Sequence, residues 1–252
     1  MCKGIKMPLI TEEQLRKVKK SDTIIIYGCG SSINDITDMQ YEDLKGFESC
    51  GFNWFCFSGI PTTYYIVREQ ANIPKRVHGK ETISNFYQEI NDGYKQSCLV
   101  IHDLKNHSPK AFDYSDPKNC KRFLLNYVIV NDIKLDDNNP GVEKWKNENI
   151  FKSGVYHGKN TLTNALHFSV WMRYKRIIFV GVDLYDSRYF WLDDDETRYS
   201  VKSKNKDAGS RHQTATDVIS LVKRMKKCYP KIKMYTYNKK SLLANYIGVW
   251  NG

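Results

Sequence analysis

Nowhere in its 252 residues does this chain hold an apolar run near the roughly 18 residues that a membrane-spanning helix needs, so none is expected. The opening MCKGIKMPLITEEQ lacks the continuous apolar core of a signal peptide. The seven cysteines, at 2, 29, 50, 56, 98, 120 and 228, contain no CxxC pair and no regular framework. Such an odd, scattered set reads as reduced thiols and argues against a disulfide scaffold or a structural zinc site. The six histidines have no metal-ligand spacing, and no Gly-Lys-Ser/Thr follows a glycine-rich turn, which excludes a P-loop. Four consecutive acids at Asp193–Glu196 cannot all face one ion and read as a solvated loop. No repeat and no low-complexity tract is present.

Acids are also scarce in one place. Residues 198–252 hold 13 Lys and Arg against two acids, Asp207 and Asp217, whereas residues 1–197 hold 26 of each. The entire net charge of +11 therefore lies in the last fifth of the chain. A segment like this either keeps the protein soluble or meets an anion: phosphate, nucleic acid or an anionic membrane surface. Lys204, Lys206 and Arg211 lie in it as candidate contacts to an acceptor or a polyanion.

At 41% hydrophobic, the chain can bury one sizeable core. TIIIYG (23–28), FNWFCF (52–57), TYYIV (63–67), SCLVIHD (97–103), RIIFVGV (176–182) and IKMYTY (232–237) read as strands. Residues 10–20, with Thr11 as cap, 161–174, 214–228 and SLLANYIG (241–248) read as helices. Residues 104–149 read as an irregular insertion or lid with short helices, and 192–213 as a mobile loop. Alternating strands and helices predict one α/β domain over residues 1–252, with a mostly parallel, Rossmann-like sheet.

Three places carry candidate chemistry. In IIIYGCGSSIND an apolar strand runs into Gly28, Cys29, Gly30, Ser31 and Ser32 and then a predicted helix, whose free N–H groups and dipole would attract phosphate. In VGVDLYDSRYFW, Asp183, Tyr185 and Tyr189 lie just past a strand's carboxyl end, where open α/β sheets hold ligands; Ser153 and Gly154 precede this stretch. A tyrosine hydroxyl there can donate to a leaving phosphate without a metal. Trp191 is assigned to packing or to the lid. In GSRHQTATD, His212 follows a polar loop and can serve as a general base, whereas His167 sits in an apolar helix and reads as a core residue.

Three blocks carry a resemblance to a known family: IIIYGCGSSINDI, KSGVYHGKNTLTNALHFSVWMRYKRIIFVGVDLY and KIKMYTYNKKSLLANYIG. Together they resemble glycosyltransferase family 42, the lipooligosaccharide sialyltransferases of Gram-negative bacteria. The resemblance implies a single nucleotide-binding Rossmann-like domain with a flexible lid. It implies a CMP-sialic acid donor and metal-independent transfer with inversion. It implies that Tyr185 and Tyr189 hold the leaving phosphate, that His212 deprotonates the acceptor hydroxyl, and that the 28–32 turn, Asn53, Ser153 and Gly154 bind the donor. The expected partners are a nucleotide sugar and an acceptor glycan; no cofactor is expected, and homo-oligomerisation stays open. The basic C-terminal fifth keeps open a transferase acting on hydroxymethylated bases in DNA, with a UDP- or other nucleotide-sugar donor. A Mg²⁺-dependent nucleotide pyrophosphokinase would instead need Asp183 and the 193–196 acids as ligands. A non-catalytic nucleic-acid-binding module is the remaining reading. The thiols place the chain in the cytoplasm, either free, peripheral to the membrane, or in a host's cytoplasm if phage-encoded.

Overall fold

The computed structural model describes residues 11–67, 99–102, 127–129, 141–156, 160–185, 188–190 and 208–252. Its centre is an eight-stranded sheet in the order β5-β4-β3-β2-β1-β6-β7-β8. The strands are β1 (Thr23–Tyr27), β2 (Glu48–Phe52), β3 (Tyr64–Val67), β4 (Leu99–His102), β5 (Tyr127–Ile129), β6 (Arg176–Val180), β7 (Lys233–Thr236) and β8 (Gly248–Val249). All of its described pairings are parallel. The sheet is thus parallel throughout its described strands, as the alternating pattern predicts.

β1 and β6 lie well inside the sheet, and both faces of these strands are apolar. Ile24, Ile26, Ile177 and Phe179 enter one core layer; Ile25, Tyr27, Ile178 and Val180 enter the other. Continuous apolar runs are what burial on both faces of a parallel sheet requires. Helices α1 (Glu12–Val18), α4 (Thr161–Trp171) and α5 (Ala208–Cys228) cover the first face. α1 begins at a capping box, with Gln14 N–H on Thr11 Oγ1 and Gln14 Oε1 on Thr11 N–H. Every residue of α4 is buried, so this helix has no solvent face, and its polar Asn164, His167 and Ser169 find their hydrogen bonds inside the core. On α5 the predicted face, Val218, Leu221, Val222 and Met225, is the buried one. Helix α2 (Asp38–Lys45) and the segment around Phe55 and Phe190 cover the second face. The short helix α3 (Ile150–Ser153) leads towards α4.

Several expected elements differ. FNWFCF is not a strand: β2 ends at Phe52, and Asn53–Ser58 is a 3-10 helix. The expected strand fails because Asn53 adopts a φ of +52°, which extended backbone cannot contain. Residues 208–213, expected in a mobile loop, are the first turns of α5; 192–207 lie outside the described residues. The closing segment is not a helix of eight residues but the 3-10 turn Leu242–Asn245 followed by β8, whose Gly248 and Val249 pair with Tyr235 and Thr236. Within 104–149, Tyr127–Ile129 is a strand of the main sheet, and Val142–Asn147 is a 3-10 helix that buries Val142 and Trp145 in the core. Those parts belong to the fold, not to a lid; the rest of that span up to 140 is outside the described residues.

Candidate functional site at the carboxyl end of the sheet

From β1 the chain moves outward through β2, β3, β4 and β5, then returns to β6 on the other side of β1. The strand order reverses between β1 and β6. In an open α/β sheet the crevice beyond the carboxyl ends of such a strand pair is where ligands sit. The turn after β1 and the segment after β6 meet there.

They meet in unusually close contact. Gly28 N–H bonds Val180 O at 2.7 Å, and Gly30 N–H bonds Gly181 O at 2.8 Å. A Cβ at Gly28 would strike the Gly181 carbonyl oxygen; one at Gly30 would strike the Asp183 carboxylate. These glycines therefore let two backbone turns cross, an explanation that needs no ligand. The expected helix after the turn is a five-residue 3-10 helix, Ser31–Asp35. Asp183 supplies the anion at its start. Its Oδ2 accepts from Ser32 N–H at 3.0 Å, and its Oδ1 accepts from Ser32 Oγ at 2.5 Å. Asp183 is only 3% exposed and also accepts from Asn238 Nδ2 at 2.9 Å. The turn thus differs in geometry from the helix N-terminus expected to meet a phosphate. The helix is one short turn, and the protein's own carboxylate occupies Ser32. Asp183 likewise acts as a clamp between the two turns.

Past Asp183 the chain bends sharply. Leu184 has φ +66°, a strained conformation for a branched side chain. The next residue, Tyr185, is 38% exposed, an unusual position for a large ring among the described residues. Its hydroxyl accepts from Asn238 Nδ2 at 3.4 Å. Tyr189 is placed differently. It pairs with Gly30 in an isolated antiparallel bridge and packs half-buried against the second core layer, beside buried Phe190. Phe190 N–H bonds Cys29 O at 3.3 Å, and Asn34 Nδ2 bonds Phe190 O at 2.7 Å. The two tyrosines flank the β1 turn, one open and one packed on it.

Of the other expected residues, Asn53 arrives at the same end, whereas Gly154 lies beside Val155 and Tyr156, whose backbone bonds Asn164 and His167 partway down α4. Asn53 follows β2 directly, and Cys29 Sγ reaches Phe52 O at 3.4 Å. Gly154 is buried with φ +81° and ψ −178°, a conformation open only to glycine, and its N–H closes α3 on Ile150 O at 2.9 Å. Ser153 ends α3; its side chain lies outside the described residues, as do those of Arg211 and His212. Because α5 connects β6 to β7, its first turns lie at the carboxyl end of the sheet. His212 stands 13 residues before buried Met225, about 20 Å along the helix axis. Lys204, Lys206, Trp191 and Asp193–Glu196 lie outside the described residues. No group of three or more His, Cys, Asp or Glu side chains suited to holding a metal occurs among the described residues. No described helix is long and apolar enough to cross a membrane.

Sequence reasoning missed Asn238. It follows β7 by two residues, and its signal is a lone amide just past an apolar strand, at the same end as the other candidates. Below the site, His167 is fully buried. Its Nδ1 accepts Tyr156 N–H at 2.8 Å, and its Nε2 lies 3.5 Å from Glu148 Oε2. Burial pushes the imidazole pKa down to about 3, against the weaker upward pull of a hydrogen bond to the Trp145 backbone. It is a neutral core residue, as expected.

No protein-family model and no curated protein matches this sequence. Among solved structures, the chain is similar to the monofunctional alpha-2,3-sialyltransferase Cst-I from Campylobacter jejuni, at 14% identity and a TM-score of 0.49, over 96% of this chain and 82% of that one.

Proposed function

We propose that this protein is a glycosyltransferase that takes a nucleotide-activated sugar in the crevice between β1 and β6. The observation that carries this reading is convergence. Stretches read from the sequence or from its resemblance as donor-binding or catalytic, around residues 28–32, 53, 183–189 and 212, come from four separate parts of the chain. The topology brings all of them to the carboxyl end of one sheet, at its switch point.

In this mechanism an acceptor hydroxyl attacks the anomeric carbon while the bond from that carbon to the donor phosphate breaks. The bonding electron pair leaves with the phosphate, and the hydroxyl proton passes to His212. Tyr185 donates a hydrogen bond to the departing phosphate oxygen, stabilising charge as it develops. Tyr189, held on the β1 turn, shapes the floor beneath it. The sequence resemblance favours a CMP-sialic acid-like donor, inversion and no metal.

The test is a thermal-shift screen of CMP, CDP, UDP, GDP and ADP, followed by transfer assays with the matching sugar nucleotides. A ligand that binds only the folded state raises its stability. The expected result is stabilisation by CMP, and turnover that falls about 10²–10⁴-fold in His212→Ala. Stabilisation by UDP alone would move the reading to a neutral sugar. No response to any nucleotide would remove the transferase reading.

A further inference from the structure

Asn238 carries no role in the proposed function, yet it is the residue that ties the exposed Tyr185 to the buried clamp. Its amide orientation is set by its neighbours. Asn238 Oδ1 accepts Lys240 N–H at 2.9 Å, so the oxygen side of the amide is committed. The backbone around it is anchored too: Asn238 O accepts Ser241 N–H at 3.0 Å and Thr236 Oγ1 at 3.3 Å. Ser241 Oγ in turn donates to Val182 O at 2.7 Å, fastening this turn to the segment after β6. The NH₂ side therefore faces Asp183 and Tyr185 and cannot flip without losing every one of its bonds. One N–H goes to Asp183 Oδ1 at 2.9 Å and the other to the Tyr185 hydroxyl at 3.4 Å.

This arrangement has a chemical consequence at Tyr185. An amide N–H has only a proton to offer, so it occupies a lone pair of the phenol oxygen. The phenol's own proton is then directed away from Asn238, towards the open side of the ring. A hydroxyl that accepts one hydrogen bond is polarised and donates its own more strongly. The Asp183 carboxylate, itself buried and held by Ser32, fixes the amide at the other end. The left-handed Leu184 backbone, φ +66°, sits between the buried Asp183 and the exposed Tyr185 that share this amide.

We infer that Asn238 is a positioning residue that aims the Tyr185 O–H at an oxygen of the leaving phosphate, through a relay running Ser32–Asp183–Asn238–Tyr185. This rests on the proposed transferase reading of Tyr185. The relay also links the β1 turn to the phosphate-facing hydroxyl.

The test is a double-mutant cycle on the full chain, with CMP-sialic acid first and UDP- and GDP-hexoses if CMP gives no thermal shift. Tyr185→Phe should lower kcat about 10²-fold. Asn238→Ala should lower kcat about 10-fold, with the donor KM within twofold of wild type. In the Tyr185→Phe background, Asn238→Ala should have no further effect on kcat, because the hydroxyl it aims is gone. Asn238→Asp keeps the size and the acceptor for Lys240 N–H but draws the Tyr185 proton to itself; it should lose more kcat than Asn238→Ala. Melting curves report whether each variant is folded. A full 10-fold loss that persists in the Tyr185→Phe background would make Asn238 a structural residue and overturn the inference alone. A wild-type protein that responds to no nucleotide and turns over no donor would overturn the transferase reading, and this inference with it.

Discussion

Asp183 shows how a residue type that reads as a ligand-binder can be consumed by the fold. A carboxylate at a strand's carboxyl end is a natural candidate for a metal or a ribose. Here it receives Ser32 N–H, Ser32 Oγ and Asn238 Nδ2, all under cover. Removing it leaves buried donors with nothing to bond, and a donor orphaned in this way costs about 1–3 kcal/mol. Asp183→Ala should therefore lower the unfolding free energy by about 3 kcal/mol or more in urea titration; a change under about 1 kcal/mol would show that the clamp carries little. His167 gives a second residue-level prediction. With a folded pKa of about 3, below the roughly 6.5 of an unfolded histidine, the unfolded chain binds the proton more readily between those values. Its contribution to stability is thus complete above about pH 6.5 and is lost as pH falls towards 3. Between pH 7 and 5 the wild type should lose about 2 kcal/mol relative to His167→Asn, which keeps an acceptor for Tyr156 N–H. Parallel stability curves for the two proteins would contradict this.

At the scale of elements, legibility in the sequence followed the apolar pattern. β1, β3, β6 and β7 were readable because runs such as TIIIY and RIIFV are demanded by burial on both faces. β2 was not, because ESCGF has little that marks a strand. Its Glu48 is buried only because Lys20 N–H and Ser21 N–H, each at 2.9 Å, meet its carboxylate, a contact across 27 and 28 residues. The turn after β1 is legible, but what its glycines admit is not. A GCGSS sequence looks the same whether its glycines admit a phosphate or another backbone, and the partner that decides, residues 181–183, lies about 150 positions away. The site residues were legible where they follow strong strands; Asn238 was hidden in a turn whose Asn, Lys and Ser composition any loop would share. The same crossing gives a sharp element-level prediction. In Gly30→Ala the new methyl meets the Asp183 carboxyl group and the Gly181 carbonyl, both fixed parts of the clamp. The two turns must part, and stability should fall by about 1–3 kcal/mol. Gly46→Ala, where a Cβ meets nothing within 4 Å, is the matched control and should stay close to wild type. Equal melting temperatures for the two variants would mean that the crossing yields without strain.

Over the whole molecule, the structure divides the basic C-terminal fifth into parts with different prospects. A DNA acceptor would need phosphate-binding bases around His212. Among the described residues of that segment, Lys239 and Lys240 are exposed just past β7, beside Asn238 at the crevice end, whereas Lys223, Arg224, Lys226, Lys227, Lys231 and Lys233 run along the last turns of α5 and into the start of β7. This is the amino end of the sheet, opposite the crevice: Lys233 N–H bonds Lys175 O at 2.9 Å, next to the first residue of β6. Lys233 stands directly across from Arg176 in the ladder, and both are exposed. Like charges facing each other across strands are mildly destabilising, which favours an anion or salt between them. Some of these charges are already used. Arg224 pairs with Glu143 at 2.6 Å, and Lys226 Nζ donates to Tyr246 O at 2.6 Å. Lys227, Lys231 and Lys233 are exposed and remain for a partner in solution. Retention on a polyanion and turnover at the crevice should therefore separate. A variant with Lys227→Glu, Lys231→Glu and Lys233→Glu should leave heparin at markedly lower salt. Its salt dependence should be shallower by about three, because each lost phosphate contact reduces that slope by about one. Exposed charges contribute little to stability, so its melting temperature should move little, and kcat should stay within twofold of wild type. If turnover fell in step with heparin retention, the acceptor would have to be a long anion that reaches both ends of the sheet, which would favour the DNA-modifying reading over a glycan acceptor.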